Sequence, residues 1–490
     1  MYRDATDLAP DSIVTGFDIC IAGAGAAGIA MAQRLIGSSK KVLLLANGLP
    51  SDKGDKPEGP LQQIYIGTTG PFLTKVDSEF LTRSRLNMYG GTTNHFEYNA
   101  RPLDKADLLP RPGYRDASWP LTMETLNAYY PATNTLGEFG PFNYDDLDFW
   151  AKELHAPPFP ADDSMRSAIF HQRANQAYDP FQHRFHDALL AAENVVVLFN
   201  AQVLYVATTP DQCVVTELTC ATIEDGKIGR GFRVNAPAYV LALGGIETVR
   251  LLQLSGDLGD NAKGHLGRGF MLHPVFHEIA TVTFREAPQN AAFYQNQTVT
   301  LEDTPAFNAW GVLAPSPDAL LQAGMGSFCA GLDFQGGATA TINILMESAP
   351  NEESRITLDP QVDPIFGQPS VHLDWQLCDT DRRTLIKALG LLEKYLVPKF
   401  ATDFHPNWDE AKDPWPEKMG PGDHHMGALR MSAAPEDGIV DPDCRVHSVE
   451  NLYIAGSAVF PTSGYANPTL TIIALALRLA DHLNGNSPSA

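Results

Sequence analysis

The stretch "FDICIAGAGAAGIAMAQRLIGSSKKVLLLANG", residues 17–48, constrains the fold more than any other part of the chain. An apolar run leads into Gly23, Gly25 and Gly28; an alanine-rich segment follows, then Gly37 and a second apolar run. Ile19 and Ile21, flanked by small residues, suit a parallel strand covered on both faces. Residues 26–36 favour helix, and Gly37 closes it. Strand, glycine turn and helix in that order make a dinucleotide fingerprint. Gly23 permits the turn, Gly25 lets a pyrophosphate approach the backbone, and Gly28 lets helix and strand pack closely. The N–H groups that open the helix, from Ala26 onward, then face the phosphates. The acidic residue that usually meets the ribose at the end of the second strand is missing. Ala46 stands there, so the contact passes to Asn47 or to a residue from elsewhere.

Further along, "LPSDKGDKPEGP" (49–60) reads as a polar loop, and "YGGTTNH" (89–95) as a glycine-rich turn. Residues 119–140 read as a helix begun by Thr122. Residues 185–205 give a helix and then one strand, and 234–256 give strand, glycine turn at Gly244, and helix. From about 275 to 414, alternating stretches such as "HEIATVTF" and "ATATINILMES" predict an antiparallel sheet with one covered face. At the C-terminal end "NLYIAGSAVF" reads as a strand, and "NPTLTIIALALRLADHLNG" as a helix with Pro468 in its first turn.

Bulk properties exclude several classes. The formal net charge of −23 disfavours nucleic acid and anionic membrane surfaces. No apolar run approaches the ~20 residues of a membrane-spanning helix, and "MYRDATDLAPDSIVTGFD" shows no secretory h-region. Cys20, Cys213, Cys220, Cys329, Cys378 and Cys444 have neither metal-type nor redox-type spacing. Free thiols in a reducing compartment, the cytoplasm, and no metal centre are the expectations. Composition says nothing about the oligomeric state.

Taken together, the fingerprint, "YGGTTNH", "ALGGIETVRLL", "GHLGRGFMLHP", "ESAPNEESRITL" and the tail "HHMGALRM…GSAVFPTSGYANPTLT" resemble the glucose–methanol–choline oxidoreductase family, nearest its branch of pyranose 2-oxidase and bacterial glycoside oxidases. The resemblance implies an α/β fold: a discontinuous Rossmann-like FAD-binding domain (1–108, 185–275 and 415–490) with an inserted substrate domain built on an antiparallel sheet (109–184 and 276–414). It implies FAD as cofactor, a small alcohol or sugar as substrate, and O2 or another electron acceptor as second partner. By family motif, His424 is the catalytic base and His425, its neighbour, points away. Asn467 maps onto the second catalytic position, next to the flavin; its plainer reading is a helix N-cap. Pro468 and Thr469 would offer a helix N-terminus to the reduced flavin. Gly91, Thr92, Asn94 and His95 map beside the cofactor, and the resemblance leaves open a covalent bond from His95. Val203 maps near the adenine, and Gly244, Gly456 and Ser457 line the cofactor by the same resemblance. The implied reaction is oxidation of a CH–OH group of a sugar, glycoside or polyol. Alternatives are a biosynthetic oxidation of an aminoglycoside or other natural product, a non-redox flavin lyase, and a binding module with a degraded site. His265 and His273 read as structural.

Overall fold

The computed structural model describes residues 1–48, 66–112, 114, 118–174, 181–224 and 227–485. The loop expected over 49–60 lies outside them.

Six strands form an all-parallel sheet: β1 (Tyr2–Asp4), β2 (Ile19–Ala22), β3 (Val42–Leu45), β4 (Val195–Phe199), β5 (Ala238–Leu241) and β6 (Leu452–Ile454), in the order β1-β4-β3-β2-β5-β6. Every residue of β2 and β3 is buried, as a strand covered on both faces requires. Helix α1 (Ala26–Arg34) follows β2, α2 (Gly244–Leu254) follows β5 and α3 (Thr469–Leu483) ends the nucleotide-binding layer. Arg34 on α1 makes two bonds to Asp481 on α3, at 2.8 and 2.9 Å, tying the two helices together. All three helices start at the edge where β2, β5 and β6 end. That edge is where an open parallel sheet binds its ligand.

The second layer is antiparallel. A nine-stranded sheet runs from Ala401–Pro406 through Pro274–Phe284, Thr339–Met346, Phe328–Phe334 and Phe307–Pro315 to Met165–Arg173 and Asn99–Ala100, with Gln297–Val299 and Met419–Pro421 paired at its side. The mixed α/β architecture implied by the family resemblance is therefore present. A four-stranded sheet (Ile13–Val14, Lys227–Val234, Val215–Glu224, Gln202–Thr208) and a three-stranded one (Arg355–Val362, Pro369–Asp374, Gly67–Thr69) complete it.

Two elements differ from the sequence reading. The helix expected across 119–140 is two, Met123–Asn127 and Tyr130–Gly137. Thr122 does cap the first, accepting from Thr125 N at 3.2 Å. Pro131 has no N–H to give and is tolerated only in a first turn, so the chain must start a new helix there. The single strand expected before Thr208 is also two. Asn200 adopts the left-handed conformation (φ 53°), which asparagine accepts more readily than most residues, and turns the chain from β4 into another sheet.

A fully buried ion pair joins the segment after residue 108 to the antiparallel sheet and reaches the loop before α3. Arg111 donates to both oxygens of Glu347 at 2.6 and 2.8 Å, with neither side chain exposed. Glu347 follows the strand Thr339–Met346, and its carboxylate also accepts from Ser327 N at 2.9 Å and Gly464 N at 3.1 Å. Arg111→Met leaves that carboxylate buried without its cation and should lower stability by roughly 3–5 kcal/mol. Adding Glu347→Gln should recover a large part of the loss; thermal and urea unfolding of the single and double variants check this.

Candidate active site

A cleft of about 160 Å³ opens at the carboxyl edge of the parallel sheet. Gly23 to Ala27, Leu45, Ala242 to Gly245 and Ala455 to Ser457 line it, from the ends of β2, β3, β5 and β6. The three fingerprint glycines have separate causes. Gly23 has φ 108°, and a Cβ there would stand 2.5 Å from Ala242 O. A Cβ on Gly28 would stand 1.9 Å from Gly23 O, so the start of α1 can lie against the turn only if that residue is glycine. At Gly25 a Cβ would meet nothing within 4 Å: the chain could carry a side chain, but the side chain would enter the cleft. With no acidic residue in the first turn of α1, the helix end is free to favour a phosphate. These residues fit a dinucleotide pyrophosphate.

At the ribose end, Asn47 is buried and lines the cleft. Its Nδ2 donates to Gln202 Oε1 at 2.6 Å, and Asn87 Nδ2 donates to the same oxygen at 3.0 Å. Gln202 and Asn87 are cleft-lining amides that sequence reasoning missed; beside them Val203 lines the wall as expected. Arg85, Glu247 and Arg250 were missed too. Glu247 bonds Arg85 at 2.6 Å and Arg250 at 3.3 Å, the latter also paired with Asp363 at 3.1 Å. The turn at 89–95 lies against the pyrophosphate loop: Gly90 N donates to Ala24 O at 2.8 Å, and a Cβ on Gly91 would come 3.3 Å from Gly25 Cα. Gly91, Thr92 and Phe96 line the cleft. Asn94 donates to Gly91 O at 2.7 Å, inside the turn. His95 is solvent-accessible but does not line the cleft; partial desolvation lowers its pKa, and Asp423, Arg83 and His425 lie close enough to interact with it electrostatically.

The catalytic corner lies where residues 422–428 meet the start of α3. His424 and His425 diverge, as neighbours in extended chain do. His425 lines the cleft, its Nε2 3.0 Å from Ser84 Oγ and its ring edge-on to Phe80. His424 turns the other way. Its Nε2 is 2.9 Å from Asn467 Nδ2, and its Nδ1 is 2.8 Å from His273 Nδ1. Asn467 makes no cap bond: α3 begins after Pro468 with no side-chain cap at all, so the amide is committed to the histidine. Burial, reinforced by His273, holds the His424 imidazole well below its ordinary pKa, and burial lowers His273 to about 4. Both rings are neutral near pH 7. Gly456 (φ 143°) and Ser457 lie beside them in the cleft wall, Ser457 Oγ donating to His425 O at 2.6 Å. The arrangement presents a neutral imidazole and an amide to one point next to a dinucleotide cleft, with the first turn of α3 (Thr469, Leu470) alongside.

His273, read from the sequence as structural, is in direct contact with His424. A signal existed in "MLHP" and "HHM": Met271 and Met426 bridge as antiparallel partners, and two residues on in opposite directions stand His273 and His424. A strand pairing across more than 150 residues could not be read from either piece alone.

Family models described as GMC oxidoreductase match residues 159–275 (N-terminal model) and 350–476 (C-terminal model). The chain is 26% identical to 2-methyl-1,2-propanediol dehydrogenase of Mycolicibacterium austroafricanum over 54% of its length and 51% of that protein, so it spans about half of that relative. It is 25% identical to 6'''-hydroxyparomomycin C oxidase of Streptomyces lividus, covering 98% of the chain and 94% of the relative. Its fold superposes on pyridoxine 4-oxidase from Mesorbium loti with a TM-score of 0.58, at 16% identity, over 95% of this chain and 99% of the other.

The glycine roles give a paired test. Gly25→Val should fold with near-native unfolding temperature yet purify without bound flavin. Gly28→Ala should instead lose roughly 1–3 kcal/mol of stability by overpacking. Thermal unfolding alongside flavin absorbance separates the two.

Proposed function

The chain belongs to the GMC oxidoreductase family, and from that premise we propose that it oxidises a CH–OH group of a sugar, glycoside or other polyol, with FAD as its resident cofactor. When bound, FAD supplies the acceptor for the hydride that leaves the carbinol carbon. His424 Nε2 takes the hydroxyl proton; a neutral imidazole does this near neutral pH without a metal. In the resting site Asn467 Nδ2 donates to that nitrogen; with substrate bound the amide turns to orient the substrate oxygen and frees the Nε2 lone pair. Gly23 to Ala26, Asn47, Gly91, Thr92, Val203, Gly244, Gly456 and Ser457 hold the cofactor, and the N-terminus of α3 at Pro468 and Thr469 favours negative charge beside it. The observation that carries this reading is the 2.9 Å contact between His424 Nε2 and Asn467 Nδ2, on a segment whose next residue, His425, lines the dinucleotide cleft.

A polyhydroxylated substrate is supported by the sheet face next to this corner. Trp310, half-buried and stacked on the buried Phe170 at 5.7 Å, offers an aromatic face for the C–H side of a ring. On the same face Gln172 bonds Asn99 at 2.9 Å and Asn308 at 3.0 Å, giving donors and acceptors for hydroxyls. A second substrate class, aminoglycosides, is favoured by the near full-length match to an oxidase of that class and by the net charge of −23. O2 or another acceptor completes the turnover. Six free cysteines support a cytoplasmic setting, and among the described residues no helix is long and apolar enough to cross a membrane.

Anaerobic mixing with sugars, glycosides, aminoglycosides and simple alcohols should bleach the flavin with one class. His424→Ala should slow that step by roughly 10²–10⁴-fold. Because burial lowers the His424 pKa and the neutral ring is the active form, the rate should stay level through neutral pH and fall only on the acid side of 6.5. Bleaching by no alcohol would favour a flavin-containing lyase.

That Thr92 and Phe96 line the cleft while His95 does not supports a flavin held without a covalent bond. Acid precipitation should release the yellow colour into the supernatant. A yellow pellet that turns colourless in His95→Ala would establish attachment through that ring.

A further inference from the structure

Resting on the reading of His424 as proton acceptor, we infer that His273 is a positioning residue that fixes the His424 tautomer, leaving Nε2 unprotonated toward the substrate. The chain of donors and acceptors allows one assignment. His273 Nε2 lies 2.9 Å from Gly464 O. A carbonyl oxygen only accepts, so Nε2 of His273 carries the proton and its Nδ1 is a lone pair in the neutral ring. That lone pair faces His424 Nδ1 at 2.8 Å. His424 Nδ1 must therefore be the donor, and its Nε2 the acceptor. Asn467 Nδ2, a donor, meets that Nε2 at 2.9 Å, as the assignment requires.

The anchor of this chain is itself fixed. Gly464 has φ 57°, and a Cβ there would stand 2.9 Å from Asp107 Oδ2 and 2.8 Å from Leu103, so the position needs glycine. Its N–H donates to Glu347 Oε1 at 3.1 Å, and Glu347 is locked by Arg111. One residue thus takes its placement from a buried ion pair at its N–H and gives it to His273 at its carbonyl. His273 is fully buried, with both ring nitrogens engaged. The relay is closed. When His424 Nε2 accepts a proton, the charge spreads over a ring whose Nδ1–H stays bonded to His273. Gly464 O cannot take a proton onward, so the proton stays within the two rings.

The test uses the flavin-loaded full chain labelled with 15N-histidine, wild type beside His273→Leu and His273→Asn. Resonances of His424 are assigned by their loss in His424→Gln. The wild type should show His424 protonated at Nδ1 and bare at Nε2. In His273→Leu the Nδ1–H has no buried acceptor, the tautomer should shift or mix, and flavin reduction should slow roughly 10–100-fold. His273→Asn offers an amide oxygen at the place of Nδ1 and should restore both the tautomer and most of the rate. A wild-type His424 protonated at Nε2 overturns the inference, as does a His273→Leu enzyme with unchanged tautomer and rate. If His273→Leu does not fold, the wild-type and His273→Asn spectra decide. Failure of every alcohol to reduce the flavin would sink the functional reading but leave the tautomer result standing; normal reduction with the opposite tautomer would do the reverse.

Discussion

A carboxylate fully removed from water must be paired, and Glu347 is the pairing on which the catalytic corner depends. Its oxygens gather Arg111 from the segment after the nucleotide layer, Ser327 from the antiparallel sheet, and Gly464 from the loop before α3. An unpaired buried carboxylate costs several kcal/mol, so the three segments are held to one geometry by the cost of any departure from it. The surroundings add to that cost. Asp107, buried beside the pair, is pushed up to about 7 by burial and by the charges of Asp104 and Glu347. Thr462, next in the same loop, accepts from Trp119 Nε1 at 2.9 Å and donates to Asp107 O at 2.9 Å. Residues 462–467 are thereby held from below by bonds that point away from the cleft, which leaves Asn467 free to face His424.

The two histidines at 424 and 425 show how backbone period distributes roles. Alternation sends adjacent side chains to opposite faces, so one ring joins the cleft wall and the other the relay. Both are held neutral by burial, yet for different ends. His425 packs against Phe80 and bonds Ser84, a side chain that itself donates to Phe80 O at 2.6 Å. Its surroundings fix it as part of the wall. His424 has instead an acceptor, His273, at one nitrogen and a donor, Asn467, at the other.

What could be read from the chain follows the range of the interaction responsible. The fingerprint glycines were legible because turn, helix start and strand contact all fall within a few residues, and Gly23 and Gly28 meet the backbone neighbours their roles predict. The antiparallel layer was legible from alternation alone. The break at Tyr129–Pro131 and the turn at Asn200 were missed because a helical or strand period continues through them; a single residue's backbone chemistry overrides the pattern. Gln202, Asn87, Glu247 and His273 were missed for a different reason. Each acquires its place from a partner more than 100 residues away, except that Glu247 also meets Arg250 within its own helix. No local pattern marks such residues; only the pairing of Met271 with Met426 makes the His273–His424 contact inevitable.

The missing acidic residue at Ala46 fits the same logic. A carboxylate at the end of β3 would have had to share the cleft with Glu247, which already occupies two arginines. Like charges brought together in a poorly solvated cleft raise one another's pKa and weaken both as hydrogen-bond acceptors. Neutral amides avoid that conflict. Asn47, Gln202 and Asn87 form a bonded cluster that gives the cleft wall oxygens and N–H groups without adding charge. The cleft thus keeps its carboxylate paired at one end and meets the sugar with amides, while the corner at His424 holds only neutral rings and an amide. Charge enters the site with the cofactor and the reaction rather than with the resting side chains that touch the substrate.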